Sequence, residues 1–216
     1  MKTELVIFDL DGTLLDTIGD LAAASNHMLR LRGLAEHTLD DYRRFVGNGI
    51  LRLVERALPE ALRTPAAVQA ARADFLAFYI DHIDLETRPY AGIPALLEEL
   101  ARRGIRLAVA SNKFQAGTEK LVRRFFPAIP FVAVLGQRPD VPLKPDPAVV
   151  HEILTRCGVP AEKTLYVGDS GIDIETARAA GVRSVGVTWG FRSRTELEAA
   201  GADRLADRAE AILEAL

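Results

Sequence analysis

Residues 8–17 read "FDLDGTLLDT" and follow the apolar run "LVI" at 5–7. Two carboxylates, Asp9 and Asp11, stand one residue apart where a buried strand would end, and Asp16 follows five residues later. Asp-Gly with nearby Thr and Asp is also ordinary turn and helix-capping chemistry, because short polar side chains bond their own backbone and Gly accepts positive φ. What the rest of the chain brings to the same place decides between the two readings.

The 216 residues are 49% hydrophobic and 26% charged, enough for one large domain or a domain with an insertion around a sizeable core. A formal net charge of −3 gives no broad attraction for nucleic acid or anionic lipid, so neither nucleic acid nor membrane is expected as a partner. Cys157 is the single cysteine and leaves no intramolecular disulfide. The opening "MKTELVIFDLDG" meets two aspartates after a short apolar run, which fits neither a signal peptide nor a membrane span; the expected location is cytoplasmic.

Five short apolar runs read as buried parallel strands: 4–8, 106–110, 129–135, 164–168 and 183–187. Helical patterns at 93–104, 146–158 and 173–181 lie between them, the first with Pro near its start and all with Gly at their ends. This alternation predicts an α/β fold, a doubly wound parallel sheet forming a Rossmann-like core. The exception is 16–84, where 20–33, 39–47, 50–58 and 65–83 carry apolar residues at helical spacing and no strand is evident. A link between parallel strands normally needs one helix. The expectation is therefore a small helical cap domain at 16–84 inserted after the first strand, with residues 1–15 and 85–216 as the core. The last stretch, 202–216, reads as a closing amphipathic helix.

Asp9 and Asp11 follow the first strand, "SNK" (111–113) follows 106–110, and "DSGID" (169–173) follows 164–168. All three sets therefore fall at the carboxyl edge of the sheet, where ligands bind in open α/β folds. Asp9, Asp169 and Asp173 are acceptor-only groups whose crowding calls for a cation, and an all-oxygen donor set without His or Cys favours Mg²⁺. Lys144, in "LKPDP", supplies a further fixed positive charge, and Ser111 with the backbone amides of Gly12 and Asn112 can donate to phosphate oxygens. His27, His37, His82 and His151 match no metal-ligand spacing and read as surface or capping residues. Trp189 reads as a packed lid over the core edge, and Asp16 as a cap or hinge residue of the first inserted helix.

In order, "DLDGT", a strand ending in "SN", the isolated Lys of "LKPDP" and "GDSGID" resemble the four motifs of the haloacid dehalogenase superfamily of phosphatases. The resemblance implies that Asp9 is the nucleophile forming an aspartyl-phosphate, and that Asp11 protonates the leaving oxygen and then activates water. It further implies that Thr13 orients Asp11, while Ser111 and Lys144 hold the phosphoryl group and the nucleophile. Mg²⁺ would be bound by the Asp9 carboxylate, the Asp11 backbone carbonyl and Asp169, with Asp173 close by through water or Lys144. The helical insert resembles that family's mobile cap, which closes and excludes water.

Within the superfamily, Asp11 argues against dehalogenation, and the scarcity of Lys in 16–84 against phosphonate cleavage through a Schiff base. The segments "FDLDGTLLDTIGDLAAA", "RRFVGNG", "SNK" and "VTWGFRSRTELEAAGAD" resemble bacterial 2-phosphoglycolate phosphatases. That implies a small phosphorylated metabolite as partner, with Arg44 and Asn48 reading a small carboxylate leaving group. Arg44 can equally be a solvated helix charge and "GNG" a turn. Pyrophosphatases, sugar-phosphate phosphatases and β-phosphoglucomutases share parts of the pattern. A non-catalytic phosphate-binding module is the alternative of a different class, against which the joint presence of Asp9, Asp11, Lys144, Asp169 and Asp173 argues.

Overall fold

Every residue of strand β1 (Leu5–Phe8) is buried in the computed structural model of the chain, which describes residues 2–216. Four apolar residues with both faces covered are what a central parallel strand requires. After the two-residue strand β2 (Leu15–Asp16) the chain is helical: α1 (Ile18–Leu31), α2 (Leu39–Phe45), α3 (Gly49–Ala57) and α4 (Pro65–His82). Thr38 caps α2 in a reciprocal box with Asp41, and Thr64 caps α4 ahead of Pro65. α1 and α3 pack on α4 and bury Met28, Leu29, Leu53, Val54, Phe75 and Tyr79. Thr17, not Asp16, occupies the N-cap position of α1.

These helices belong to a compact unit, Thr17–Arg88, and the remainder of the chain, up to Asp16 and from Pro89 to Leu216, forms a second. The helical unit runs to Arg88, beyond the boundary at 84 that periodicity implies, because its last residues are bonded to its first helix. Buried Asp20, in the opening turn of α1, accepts the amides of Glu86 (2.9 Å) and Thr87 (2.9 Å) and the Thr87 hydroxyl (2.7 Å). No helix among the described residues is long and apolar enough to cross a membrane.

The second unit resumes at Pro89, within the two-residue strand β3 (Arg88–Pro89), and alternates α5 (Ile93–Arg102), β4 (Arg106–Phe114), α6 (Gln115–Phe125), β5 (Phe131–Gln137) and α7 (Ala148–Cys157). It continues through β6 (Thr164–Gly168), α8 (Gly171–Ala179), β7 (Arg183–Val187), α9 (Arg194–Ala200) and β8 (Arg204–Ala206). Six strands form one sheet in the order β5-β4-β1-β6-β7-β8, and every pairing is parallel. On one face Leu5, Ile7, Ala108, Ala110 and Tyr166 pack with Val150 and Ile153 of α7; alternation turns Val6 and Phe8 to the other. The strand order reverses at β1, so the crevice beyond its carboxyl end, flanked by β4 and β6, is the switch point where α/β sheets bind ligands.

The carboxyl terminus corrects the expectation of a closing helix. Gly201, at φ +82°, ends α9, and Arg204–Ala206 then pairs with Val185–Val187 as a sixth strand before a 3₁₀ segment at Ala209–Ala215. The apolar spacing is served because Ala206, Ala209 and Ile212 are all buried. Tertiary pairing at a sheet edge has overridden local helical periodicity.

Removing the Asp20 carboxylate would take the acceptor from the Glu86 amide and the buried Thr87 amide and leave the Thr87 hydroxyl only the Ile83 carbonyl (3.1 Å), and an unsatisfied buried group costs about 1–3 kcal/mol. Asp20→Ala is expected to lower the free energy of urea unfolding by about 3 kcal/mol. A loss below about 1 kcal/mol would mean that the Glu86–Thr87 segment is held by other contacts.

Candidate active site

Asp9 emerges from β1 with its amide bonded to the Val167 carbonyl (2.9 Å), which sets it beside the end of β6. The chain then turns sharply: the Leu10 carbonyl accepts the amides of Leu14 and Leu15 (3.0 Å each). Gly12 sits at φ +89°, and a Cβ there would lie 2.3 Å from an Asp169 carboxylate oxygen, so only glycine allows this approach. The Gly12 amide donates to the Leu15 carbonyl (2.9 Å). Here the turn itself uses the donor.

Lys144 lies between β5 and α7 and is buried. Its Nζ donates to Asp9 Oδ1 (2.8 Å), Asp173 Oδ1 (2.8 Å) and the Ala110 carbonyl (3.0 Å), and lies 3.0 Å from the Tyr166 hydroxyl. Asn112 fixes the Lys144 backbone from both sides, its Nδ2 donating to the Lys144 carbonyl (3.1 Å) and its Oδ1 accepting the Lys144 amide (2.9 Å). Asp173 serves two elements at once. Its Oδ2 accepts the Ser170 amide (3.1 Å) and hydroxyl (2.6 Å) in a capping box that opens α8, while Oδ1 faces Lys144.

Carboxylate oxygens of Asp9, Asp169 and Asp173 lie within 4.8 Å of one another, and all three residues are buried. Burial, opposed by Lys144 and reinforced by the charges of Asp173 and Asp11, pushes Asp9 up to about 7. Burial and the neighbouring charges of Asp173 and Asp9 also hold Asp169 well above the ordinary carboxylate range. Burial alone would lower Lys144, but Asp173 and Asp9 outweigh it and keep the ammonium charged. Asp169 takes the Phe191 amide on Oδ2 (2.7 Å) and the Thr13 hydroxyl on Oδ1 (3.3 Å). Three clustered carboxylates facing one buried ammonium form an oxygen-only, electron-rich set, which fits a hard divalent cation such as Mg²⁺.

The Thr13 hydroxyl is bonded to Asp169 rather than to Asp11. Asp11 is held instead by Lys113, whose Nζ lies 3.0 and 3.2 Å from its two carboxylate oxygens. Lys113 was not among the expected site residues; its signal was the last letter of "SNK", on the same strand as Ser111. Ser111 Oγ accepts the Lys113 amide (3.2 Å) within the irregular end of β4. Tyr166 is a second addition that reads in sequence as an ordinary core aromatic. Trp189 is half-buried, and its indole N–H donates to the Thr13 carbonyl (3.1 Å), bracing the loop that carries Asp11. Gly190 admits Asp169: a Cβ there would lie 2.3 Å from the Asp169 Cβ.

In the helical unit, Arg44 is 69% exposed and ion-paired with Asp41 of its own helix (2.5 Å). Asn48 stands at the N-cap position of α3 without a side-chain capping bond, and its Oδ1 accepts from Arg56 (2.8 Å). His27 and His82 stack on Phe78 (4.2 and 3.9 Å), and His37 bonds the Ala57 carbonyl (2.8 Å), all packing or backbone roles. Among the described residues no histidine joins a metal-binding cluster.

A family model for haloacid dehalogenase-like hydrolases matches residues 6–187. A phosphoglycolate phosphatase from Mesorhizobium japonicum is 36% identical over 196 residues, covering 90% of this chain and 86% of that protein. Crystal structures of predicted phosphoglycolate phosphatases from Lactobacillus delbrueckii subsp. bulgaricus and Haemophilus somnus superpose with TM-scores of 0.94 and 0.92 at 36% and 28% identity. Each covers 100% of this chain and 98% of its own. With the reversal of strand order at β1 and the carboxylate cluster beyond it, these matches show that the chain belongs to the haloacid dehalogenase-like hydrolases.

Proposed function

We propose that the chain is a Mg²⁺-dependent phosphatase that hydrolyses 2-phosphoglycolate to glycolate and phosphate through an aspartyl-phosphate on Asp9. The carrying observation is that Asp9, paired with Lys144, stands two residues from a second carboxylate, Asp11, on the same switch-point loop. The substrate follows from the names of relatives that match nearly the whole chain.

In this reading a carboxylate oxygen of Asp9 attacks phosphorus while the bond to the leaving oxygen breaks, and Asp11 gives that oxygen its proton. Water then attacks the same phosphorus and yields its proton to Asp11, and the phosphorus–Asp9 bond breaks to release phosphate. Lys144 keeps Asp9 aligned and screens it from Asp173, and Ser111 donates to the phosphoryl group. Mg²⁺, held by Asp9, Asp169 and the Asp11 carbonyl, with Asp173 nearby, would supply positive charge to the phosphoryl oxygens and the nucleophile. The helical unit acts as the cap that excludes water. Arg44 and Asn48 are its candidate leaving-group contacts, and each would exchange a present partner, Asp41 or Arg56, for substrate.

Asp9→Asn is expected to keep the fold and reduce phosphate release below about 1% of wild type, because an amide cannot act as the nucleophile. Higher turnover in protein shown by mass spectrometry to be free of deamidation would exclude covalent catalysis at this residue. Asp11→Asn should lose about 10²–10⁴-fold on alkyl phosphates and much less on aryl phosphates, whose leaving groups need no proton. Equal losses on both would remove Asp11 from the acid role.

Stability gives a readout independent of turnover. Without metal, Asp9 titrates near 7 in the folded chain and near its ordinary value, about 3.9, when unfolded. Its contribution to folding is therefore intact below about pH 4 and lost as pH rises through about 7. Asp169 is shifted in the same direction, while Lys144, raised above its usual value, loses nothing in this window. In chelator, urea unfolding should show wild type losing stability relative to Asp9→Asn as pH rises, and Mg²⁺ should restore most at the alkaline end. A relative gain with rising pH would contradict the electrostatics described for the cluster.

A further inference from the structure

We infer that Lys113 is a specificity residue, the buried ammonium that reads the carboxylate of the leaving group; this deepens, and rests on, the assignment of 2-phosphoglycolate as substrate. Two lysines deliver buried ammonium groups at the carboxyl edge of the sheet, with side chains 3% exposed at Lys144 and 2% at Lys113. Lys144 is committed to the nucleophile cluster through Asp9, Asp173, Ala110 and Tyr166. Lys113 instead grips both oxygens of Asp11, the group that must touch the leaving oxygen.

In 2-phosphoglycolate the carboxylate stands one methylene from that oxygen. A cation within hydrogen-bond distance of Asp11 is therefore within reach of the substrate's carboxylate when Asp11 reaches the leaving oxygen. The exchange is also cheap in charge terms. Lys113 trades one carboxylate for another and is never left buried without an anion, whereas breaking such a pair without replacement is strongly unfavourable. A neutral leaving group offers no replacement, so Lys113 stays on Asp11 and holds it from its work. One ammonium thus favours the carboxylated substrate and disfavours its neutral analogue. Arg44, exposed and paired with Asp41, would gain a dehydrated setting only on closure, whereas the Lys113 ammonium has one already.

The test is phosphate release with Mg²⁺ by wild type, Lys113→Met and Lys113→Arg on 2-phosphoglycolate and on ethyl phosphate, which has the same carbons without the carboxylate. Both leaving groups are alkoxides, so misplacement of Asp11 alone would slow them together. For Lys113→Met, kcat/KM on 2-phosphoglycolate should fall about 10- to 100-fold, with a loss on ethyl phosphate at least about tenfold smaller, and Lys113→Arg should recover part of the preference. Should Lys113→Met not fold, as judged by its thermal transition, Lys113→Gln carries the same comparison. Wild type that prefers 2-phosphoglycolate while the neutral variants lose equally on both substrates, or on neither, overturns the role of Lys113 and leaves the substrate assignment standing. Wild type that hydrolyses ethyl phosphate as well as 2-phosphoglycolate overturns both.

Discussion

The Lys144 ammonium, 2.8 Å from both Asp9 and Asp173, is the interaction on which the site depends. A buried carboxylate without a cation or full hydrogen bonding would cost several kcal/mol, and here two share one ammonium. The surroundings are arranged around that sharing. Asn112 clamps the Lys144 backbone, the Ala110 carbonyl takes another of its protons, and the Tyr166 hydroxyl lies between Lys144, Ala110 and Asp173. Because Asp173 also caps α8, the start of that helix and the ionic cluster stand or fall together.

Much of this was legible in the sequence because strand ends punctuate it. The runs at 164–168 and 183–187 are strands with the expected limits, and the polar sets at Asp9 and Asp169 follow neighbouring strands, beside the end of β4 that carries Ser111. Partner choice was not legible. "SNK" reads as residues after a strand, yet β4 continues through Phe114 with its register to β5 shifted after Ala110, and this irregular stretch carries Lys113 toward Asp11. The resemblance links Thr13 to Asp11, and in the folded chain its hydroxyl meets Asp169, 156 positions away. Nothing local encodes such a contact.

The helical unit divides in the same way. Its periodicity marks four helices, and in the structure Thr38 and Thr64 cap two of them. Its end is invisible to periodicity, since Asp20 and Thr87 are joined only in the folded chain. Asp20 also shows why a buried carboxylate alone does not mark chemistry: its acceptors are taken by backbone amides and a hydroxyl, whereas Asp9 and Asp169 are pressed against like charges.

That contrast explains the cost the fold bears at β1. Gly12 and Gly190 give up side chains so that Asp169 can enter a space a Cβ would occupy, and the Phe191 amide and Thr13 hydroxyl hold it there. None of this neutralises the third carboxylate. The cluster retains more negative charge than Lys144 offsets, and its proton affinity rises accordingly. A cation placed among the three oxygens would relieve the repulsion and favour the ionised form of Asp9 that nucleophilic attack requires. Occupancy, folding stability and reactivity are therefore expressions of one charge imbalance, and a variant that removed the imbalance would be more stable without metal and less able to react.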